Sequence, residues 1–218
     1  MENKNRFIKI KFEKPNNEIE LNNNKIINIL FFTETKILLS EEIKINDEFY
    51  KFLNSFLIDG YSNNIIVRSE KGNFLLVKRK SDNAELNDDY LEKLGGTIYN
   101  EVKSTGCTEA IIYENDTKIN QRIALGILLS SYKFLNYKKI KTKQENLLNS
   151  ITFRCNDYKK GLSLYDDVKS IAQGVYVARD LVWQPPNILF PLSFADECVK
   201  LRAIGVKVTV YDESQLAK

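Results

Sequence analysis

The stretch Ala178-Arg179-Asp180-Leu181-Val182-Trp183-Gln184-Pro185-Pro186-Asn187 organises the chain. It begins as the end of a helix and stops at a double proline. Pro185 has no backbone donor and steers Gln184 out of the helical region, so the helix ends near Val182 or Trp183. Pro186 keeps the exit extended. A long helix with a stiff, directional exit can set one domain against another. An ordinary helix stop leading into a loop meets the same local physics. The residues on the amino-terminal side of the stretch read as one compact domain, and those on its carboxyl-terminal side read as the first piece of another.

Composition bounds what such a chain can do. Its 218 residues are enough for one or two domains with a real core, and a hydrophobic content of 43% excludes a disordered chain. The 32 basic and 29 acidic residues leave a net charge of +3, which gives no nucleic-acid footprint. Residues 1–15 scatter charges among apolar residues and lack the apolar run of a signal peptide. No apolar run approaches the ~18 residues of a membrane helix. Cys107, Cys155 and Cys198 are far apart, and they read as buried thiols of a cytoplasmic protein. The most informative count is zero histidines, which excludes a Ser-His-Asp triad, a Cys-His pair and a His-ligated zinc within this chain. Acid-base work would fall to Asp, Glu, Lys or Tyr.

Periodicity then predicts the elements in order. Residues 7–12 alternate apolar and charged side chains and read as a half-buried strand. Residues 25–32 read as a strand buried on both faces, and 37–39 as a short third. Asp47 caps a helix to about Leu57. Strands at 65–68 and 74–78 form a hairpin across Lys71-Gly72-Asn73. Asn87-Asp88-Asp89 opens one helix that passes a tight spot near Gly95 and continues to Val102. A strand at 110–113 and a helix at 121–136 come next, the small residues Ala124 and Gly126 marking a close neighbour. After a strand at 151–155 and a loop at 156–161 comes the long helix, about 164–182. Its seam is Leu164, Val168, Ile171, Val175 and Val182. Ser193 caps a helix to about Ala203 that stops at Gly205. Val206, Val208 and Val210 alternate as a strand, and Asp212-Glu213-Ser214 starts another helix.

Three features invite a functional reading and yield to a plainer one. Gly95-Gly96 lacks the third glycine, preceding strand and succeeding Lys-Ser/Thr of a phosphate loop. The basic run at 138–149 contains no arginine and includes Glu145, so it reads as solvated surface rather than a nucleic-acid track. The pairs Glu41-Glu42, Asp88-Asp89, Asp166-Asp167 and Asp212-Glu213 are sequence neighbours. On a helix such neighbours point about 100° apart and rarely share a metal.

The decapeptide, with Pro191 and Phe194-Ala195, resembles the interdomain junction of the leucine aminopeptidase (cytosol aminopeptidase) family, which reads ARDL-V-N-x-P-x-N. Trp183 stands where the family has asparagine. Ala124-Leu125-Gly126 through Tyr132-Lys133-Phe134 to Tyr137-Lys138 is similar to a helix of the family's amino-terminal domain. Leu91–Gly96, LEKLGG, is similar to a helix end before a Gly-Gly there.

The resemblance implies a mixed α/β sheet flanked by helices, macro-domain-like, over residues 1–160. A linker helix and Pro-Pro exit occupy 161–187, and 188–218 start a catalytic domain with its first α-β unit. In this family two divalent metals, Mn or Zn, activate a water against the scissile peptide bond. Their carboxylate and lysine ligands lie downstream of the position matching Lys218, so no catalytic, cofactor-binding or metal residue carries over onto this chain. The implied whole is a cytoplasmic hexamer that removes N-terminal amino acids from peptides. This chain would be its inactive amino-terminal portion, for assembly and access. The alternative reading is a macro-like module that binds a nucleotide or nucleic acid at its strand ends.

Overall fold

The computed structural model describes residues 7–16, 18–19, 21, 23–33, 36–39, 43, 45–57, 64–80, 86–134, 136–137 and 148–217. They fall into two compact units, Met1–Gly174 and Val175–Lys218. In the first, the strands among the described residues are β1 (Lys9–Glu13), β2 (Ile26–Phe32), β3 (Ile37–Leu38), β4 (Ile65–Ser69), β5 (Gly72–Lys78), β6 (Glu109–Tyr113) and β7 (Ser150–Arg154). The helices are α1 (Asp47–Ser55), α2 (Asp88–Thr105), α3 (Thr117–Ser131) and the start of α4 (Tyr158–Val182), which runs on into the second unit. Strand order is β1-β7-β6-β2-β5-β4, with β3 also on β2. The path from β1 to β5 is parallel throughout, while β4 and β3 pair antiparallel with β5 and β2. This is the mixed, helix-flanked sheet that the sequence predicts.

β2 sits at the centre because its run Ile-Ile-Asn-Ile-Leu-Phe-Phe needs cover on both faces. Ile27, Ile29 and Phe31 enter one core with Leu94, Ile98 and Val102 of α2, Ile123 and Ile127 of α3, and Val168 and Ala172 of α4. Leu30 and Phe32 enter the other with Phe49 and Leu53 of α1. The β4–β5 hairpin forms as expected, Ser69 facing Gly72 across its turn.

α2 is a single helix, as the sequence predicts. The Asn87 side chain accepts from the Tyr90 N–H at 2.9 Å at its start, and Gly106 closes it at φ 78. Gly95 and Gly126 let α2 and α3 touch backbone to backbone. A Cβ on Gly95 would lie 3.0 Å from the Ile123 carbonyl carbon, and one on Gly126 would lie 2.7 Å from that of Glu92. Arg122 of α3 ties the pair together through Asp88 at 2.6 Å and Glu92 at 3.2 Å.

Several boundaries differ from the sequence reading, most of them because of one polar side chain. Asn46, not Asp47, caps α1, accepting from the Glu48 N–H at 2.8 Å. α3 starts at Thr117 rather than 121, because Asp116 accepts from the N–H groups of Lys118 and Ile119. It ends at Ser131 as Tyr132 turns extended at ψ 135. α4 starts at Tyr158 and absorbs the predicted loop, with the Lys160 N–H donating to Asp157 Oδ1. Its buried stripe in the first unit is Gly161, Tyr165, Val168 and Ala172, whereas Ile171 is exposed. The stripe shifts because Gly161 admits the Phe12 ring, which also packs against Tyr165. The readings placed at Glu41-Glu42 and 138–147 lie outside the described residues.

In the second unit α4 ends at Val182, as the prolines require. α5 (Pro191–Lys200) starts on Pro191, with Phe190 at the cap. Ser193, the predicted cap, instead sits one turn in, its Oγ accepting from the Phe190 N–H at 2.9 Å. A 3-10 turn, Leu201–Ile204, leads to Gly205 at φ 90. Residues 206–210 form no strand, since no neighbour completes a ladder, though Arg202 donates to the Val208 carbonyl at 2.7 Å. α6 (Glu213–Leu216) is capped by Asp212.

Candidate functional site

The sheet topology singles out one place. From β2 the chain passes to α1 on one face, whereas β5 and β6 lead into α2 and α3 on the other. The connections therefore diverge beyond the carboxyl end of β2, which is where open α/β sheets form ligand crevices. Arg79, one residue past β5, donates its backbone N–H to the Phe32 carbonyl at 2.8 Å. Glu114 stands one residue past β6. The two side chains close an ion pair and are only 16% and 12% exposed. The guanidinium lies 5.8 Å from the centroid of the Phe31 ring.

Around that pair the carboxyl ends of β6 and β7 add polar groups. Glu114 Oε1 accepts from the Asp116 N–H at 3.0 Å, and Asn120 Nδ2 donates to the Glu114 carbonyl at 2.8 Å. The Asn156 N–H donates to Asn115 Oδ1 at 3.3 Å. Burial pushes the Glu114 carboxyl above its ordinary range; the Arg79 charge and backbone donors oppose this, and the Asp116 charge adds to it. Burial pushes the Cys155 thiol up to about 11, with the Asp157 charge adding, the Asn120 amide opposing and the Glu114 charge adding further. Two buried side-chain atoms among the described residues have no hydrogen-bond partner, Arg79 Nε and Asn120 Oδ1. Each belongs to a residue already bonded to Glu114.

Chemically this is a recognition arrangement more than a reactive one. Cys155 is a protonated thiol at neutral pH and Glu114 is matched by Arg79, so neither is a free nucleophile or base. A phosphate drawn to Arg79 would meet the carboxylates of Glu114 and Asp116. A separate cavity of about 500 Å³ lies beside α1, lined by Ile19, Leu21, Ile45 and Phe49 with Glu18 and Lys71 at its rim.

No family model matches the chain. Among curated proteins it is 34% identical over 128 residues to a probable cytosol aminopeptidase of Ehrlichia ruminantium, covering 57% of this chain and 26% of that protein. It is 35% identical over 138 residues to a probable cytosol aminopeptidase of Phytoplasma australiense, covering 62% and 28%. Over these stretches the chain is similar to cytosol aminopeptidases. The match spans about a quarter of the length of these relatives. Among solved structures, a mutant of tomato leucine aminopeptidase superposes with a TM-score of 0.68 at 17% identity, over 96% of this chain and 45% of that one, a likeness of fold. The chain is therefore similar to a part of the cytosol aminopeptidases, and its fold is like a part of the tomato enzyme.

The sequence assigns no catalytic, cofactor or metal residue to this chain. Its neighbouring carboxylates stand apart in the structure. Asp88 pairs with Arg122, Asp89 with Lys93 at 2.7 Å, Asp212 caps α6, and Asp166 and Asp167 are exposed on α4. Among the described residues no three acidic or cysteine side chains gather as metal ligands. Gly95-Gly96 lies within α2, not in a loop. No described helix is long and apolar enough to cross a membrane. Sequence reasoning missed Arg79 and Glu114. The available signal was position, since each comes directly after a predicted strand.

Proposed function

We propose that this chain is the non-catalytic, amino-terminal part of a metal-dependent leucyl aminopeptidase of the cytoplasm. The whole protein removes N-terminal amino acids from peptides and assembles as a hexamer. The first domain, residues 1–160, serves assembly and limits access to the active sites. Residues 161–187 link it to the start of the catalytic domain at 188–218. Two divalent cations, Mn or Zn, would polarise the scissile carbonyl and activate the attacking water. The described residues do not fit them, offering no cluster of carboxylates to share between two ions, so their ligands belong to polypeptide outside these residues.

One observation carries this reading: 34–35% identity to cytosol aminopeptidases, over a match that takes in about a quarter of their length. The test is hydrolysis of leucine p-nitroanilide by the purified chain with added Mn²⁺ or Zn²⁺. The expected rate is that of buffer. Turnover that a chelator abolishes would place the chemistry within this chain and overturn the proposal.

A further inference from the structure

We infer that the cavity beside α1 is a binding site for a small amphipathic amine, an ammonium head on an apolar body. The cavity measures about 500 Å³, within the range of sites that hold small molecules. Its inner wall is apolar. Ile19 and Phe49 are buried, while Ile45 and Leu21 stand nearer to solvent. The Phe49 ring is held on two sides, stacked on Phe52 at 5.8 Å and edge-on to Phe74 at 5.2 Å. That wall is therefore set before a ligand arrives, which lowers the cost of binding. A second hollow of about 290 Å³ shares Phe49 and Lys71 with the first and adds Phe52, Glu48 and Glu70. Together they form an apolar slot with charges along its rim.

The rim sets the sign of the ligand. Three carboxylates, Glu18, Glu48 and Glu70, line the two hollows against one ammonium, Lys71. Among the described residues none of these four side chains closes an ion pair. Lys71 instead places its Nζ 5.0 Å from the centroid of the Phe49 ring. An ammonium over an aromatic face is held by the ring quadrupole, so the chain's own cation marks where a ligand's head can rest. Lys71 lies at the turn of the β4–β5 hairpin and is exposed, so it can yield that place to solvent. The ligand's body then fills the space between Ile19, Ile45 and Phe49, and its head lies against the ring face and Glu18. An anion with the same body would gain Lys71 but meet three carboxylates. A neutral molecule would leave those carboxylates unused.

The site is independent of the peptidase reading, and its test needs no peptidase activity, so either can fail alone. The purified chain is studied by isothermal calorimetry and thermal melting with phenethylamine, 2-phenylethanol and 3-phenylpropionate. These share an apolar body and carry a positive, a neutral and a negative head. Once the site is mostly filled with phenethylamine, Tm rises by about 3–5 °C for each tenfold increase in ligand. Phenylethanol binds about fivefold more weakly, and phenylpropionate gives no rise. Glu18→Gln weakens phenethylamine about threefold, whereas Lys71→Met, which removes the competing cation, tightens it. Leu21→Trp fills the mouth of the cavity and abolishes the rise. All three substituted residues are exposed. Should a variant not fold, the comparison of ligands on the unaltered chain still decides. No heat and no shift with phenethylamine, an equal shift with phenylethanol, or a larger one with phenylpropionate would overturn the site.

Discussion

Substituting alanine for Gly126 tests whether backbone contact between α2 and α3 sets the architecture of the first unit. The new Cβ would stand 2.7 Å from the Glu92 carbonyl carbon. The Glu92 carbonyl oxygen is nearer still, and carbon contacts become favourable at about 3.5 Å, so the helices must part by more than roughly 0.8 Å. Neither obstacle is a side chain that can rotate aside, since Gly95 meets the Ile123 backbone from the opposite direction. Overpacking of this kind costs about 1–3 kcal/mol, and with rigid backbone on both sides the upper value applies. Alanine returns about 1 kcal/mol through its better helix propensity. The net loss is about 2 kcal/mol, or a Tm lower by about 4–8 °C in a unit of this size. Gly174→Ala is the control, because nothing lies within 4 Å of its Cβ in α4. It should gain about 1 kcal/mol and raise Tm by about 2–4 °C. Urea and thermal unfolding monitored by circular dichroism measure both variants. A Gly126→Ala chain as stable as the control would refute the close approach.

Other predictions concern the ion pair, the thiols and the second unit. Glu114→Leu alone should cost about 3–5 kcal/mol by leaving the guanidinium buried and unpaired, whereas Arg79→Met with Glu114→Leu should recover most of that in urea unfolding. Glu114 binds its proton more tightly folded than unfolded, so it makes stability fall as pH rises above its ordinary value of 4.5. Urea midpoints across that window should show the slope in the unaltered chain and a shallower one in Glu114→Gln. At pH 8 iodoacetamide should label Cys198, which is partly exposed, well before Cys155, whose thiol is buried and protonated. Peptide mapping checks the order, and Cys155 should label only on unfolding. Brief chymotrypsin treatment should cut at Trp183, Phe190 or Phe194, all exposed, before any site within the sheet, as mass spectrometry of the fragments would record.

The features legible in the sequence were those set by neighbours along the chain. The alternation of residues 7–12, the unbroken apolar run of β2 and the turn at Lys71-Gly72 each fix local geometry by themselves, and all three elements formed. Gly95 and Gly126 could be read as a close approach because small residues in a helix have few other uses. The α4 stripe could not be read, because it depends on Phe12, far away in the chain, reaching Gly161. A valine ladder at 206–210 looked like a strand, yet alternation supplies only side-chain faces, and hydrogen bonds need a second strand alongside. Arg79 and Glu114 are 35 residues apart, and only the order β6-β2-β5 brings them together.

That same order bears on where hydrolysis could occur. A general base is most effective with a pKa near the working pH and a proton to take. In the first unit the best-placed acid, Glu114, has its charge matched by Arg79, and the best-placed thiol, Cys155, holds its proton up to about 11. Histidine is absent from the whole chain. Groups so paired stabilise charge that is already present rather than charge that develops during a reaction, and the latter is what lowers a barrier. The carboxyl edge of this sheet is therefore poorly suited to activating water.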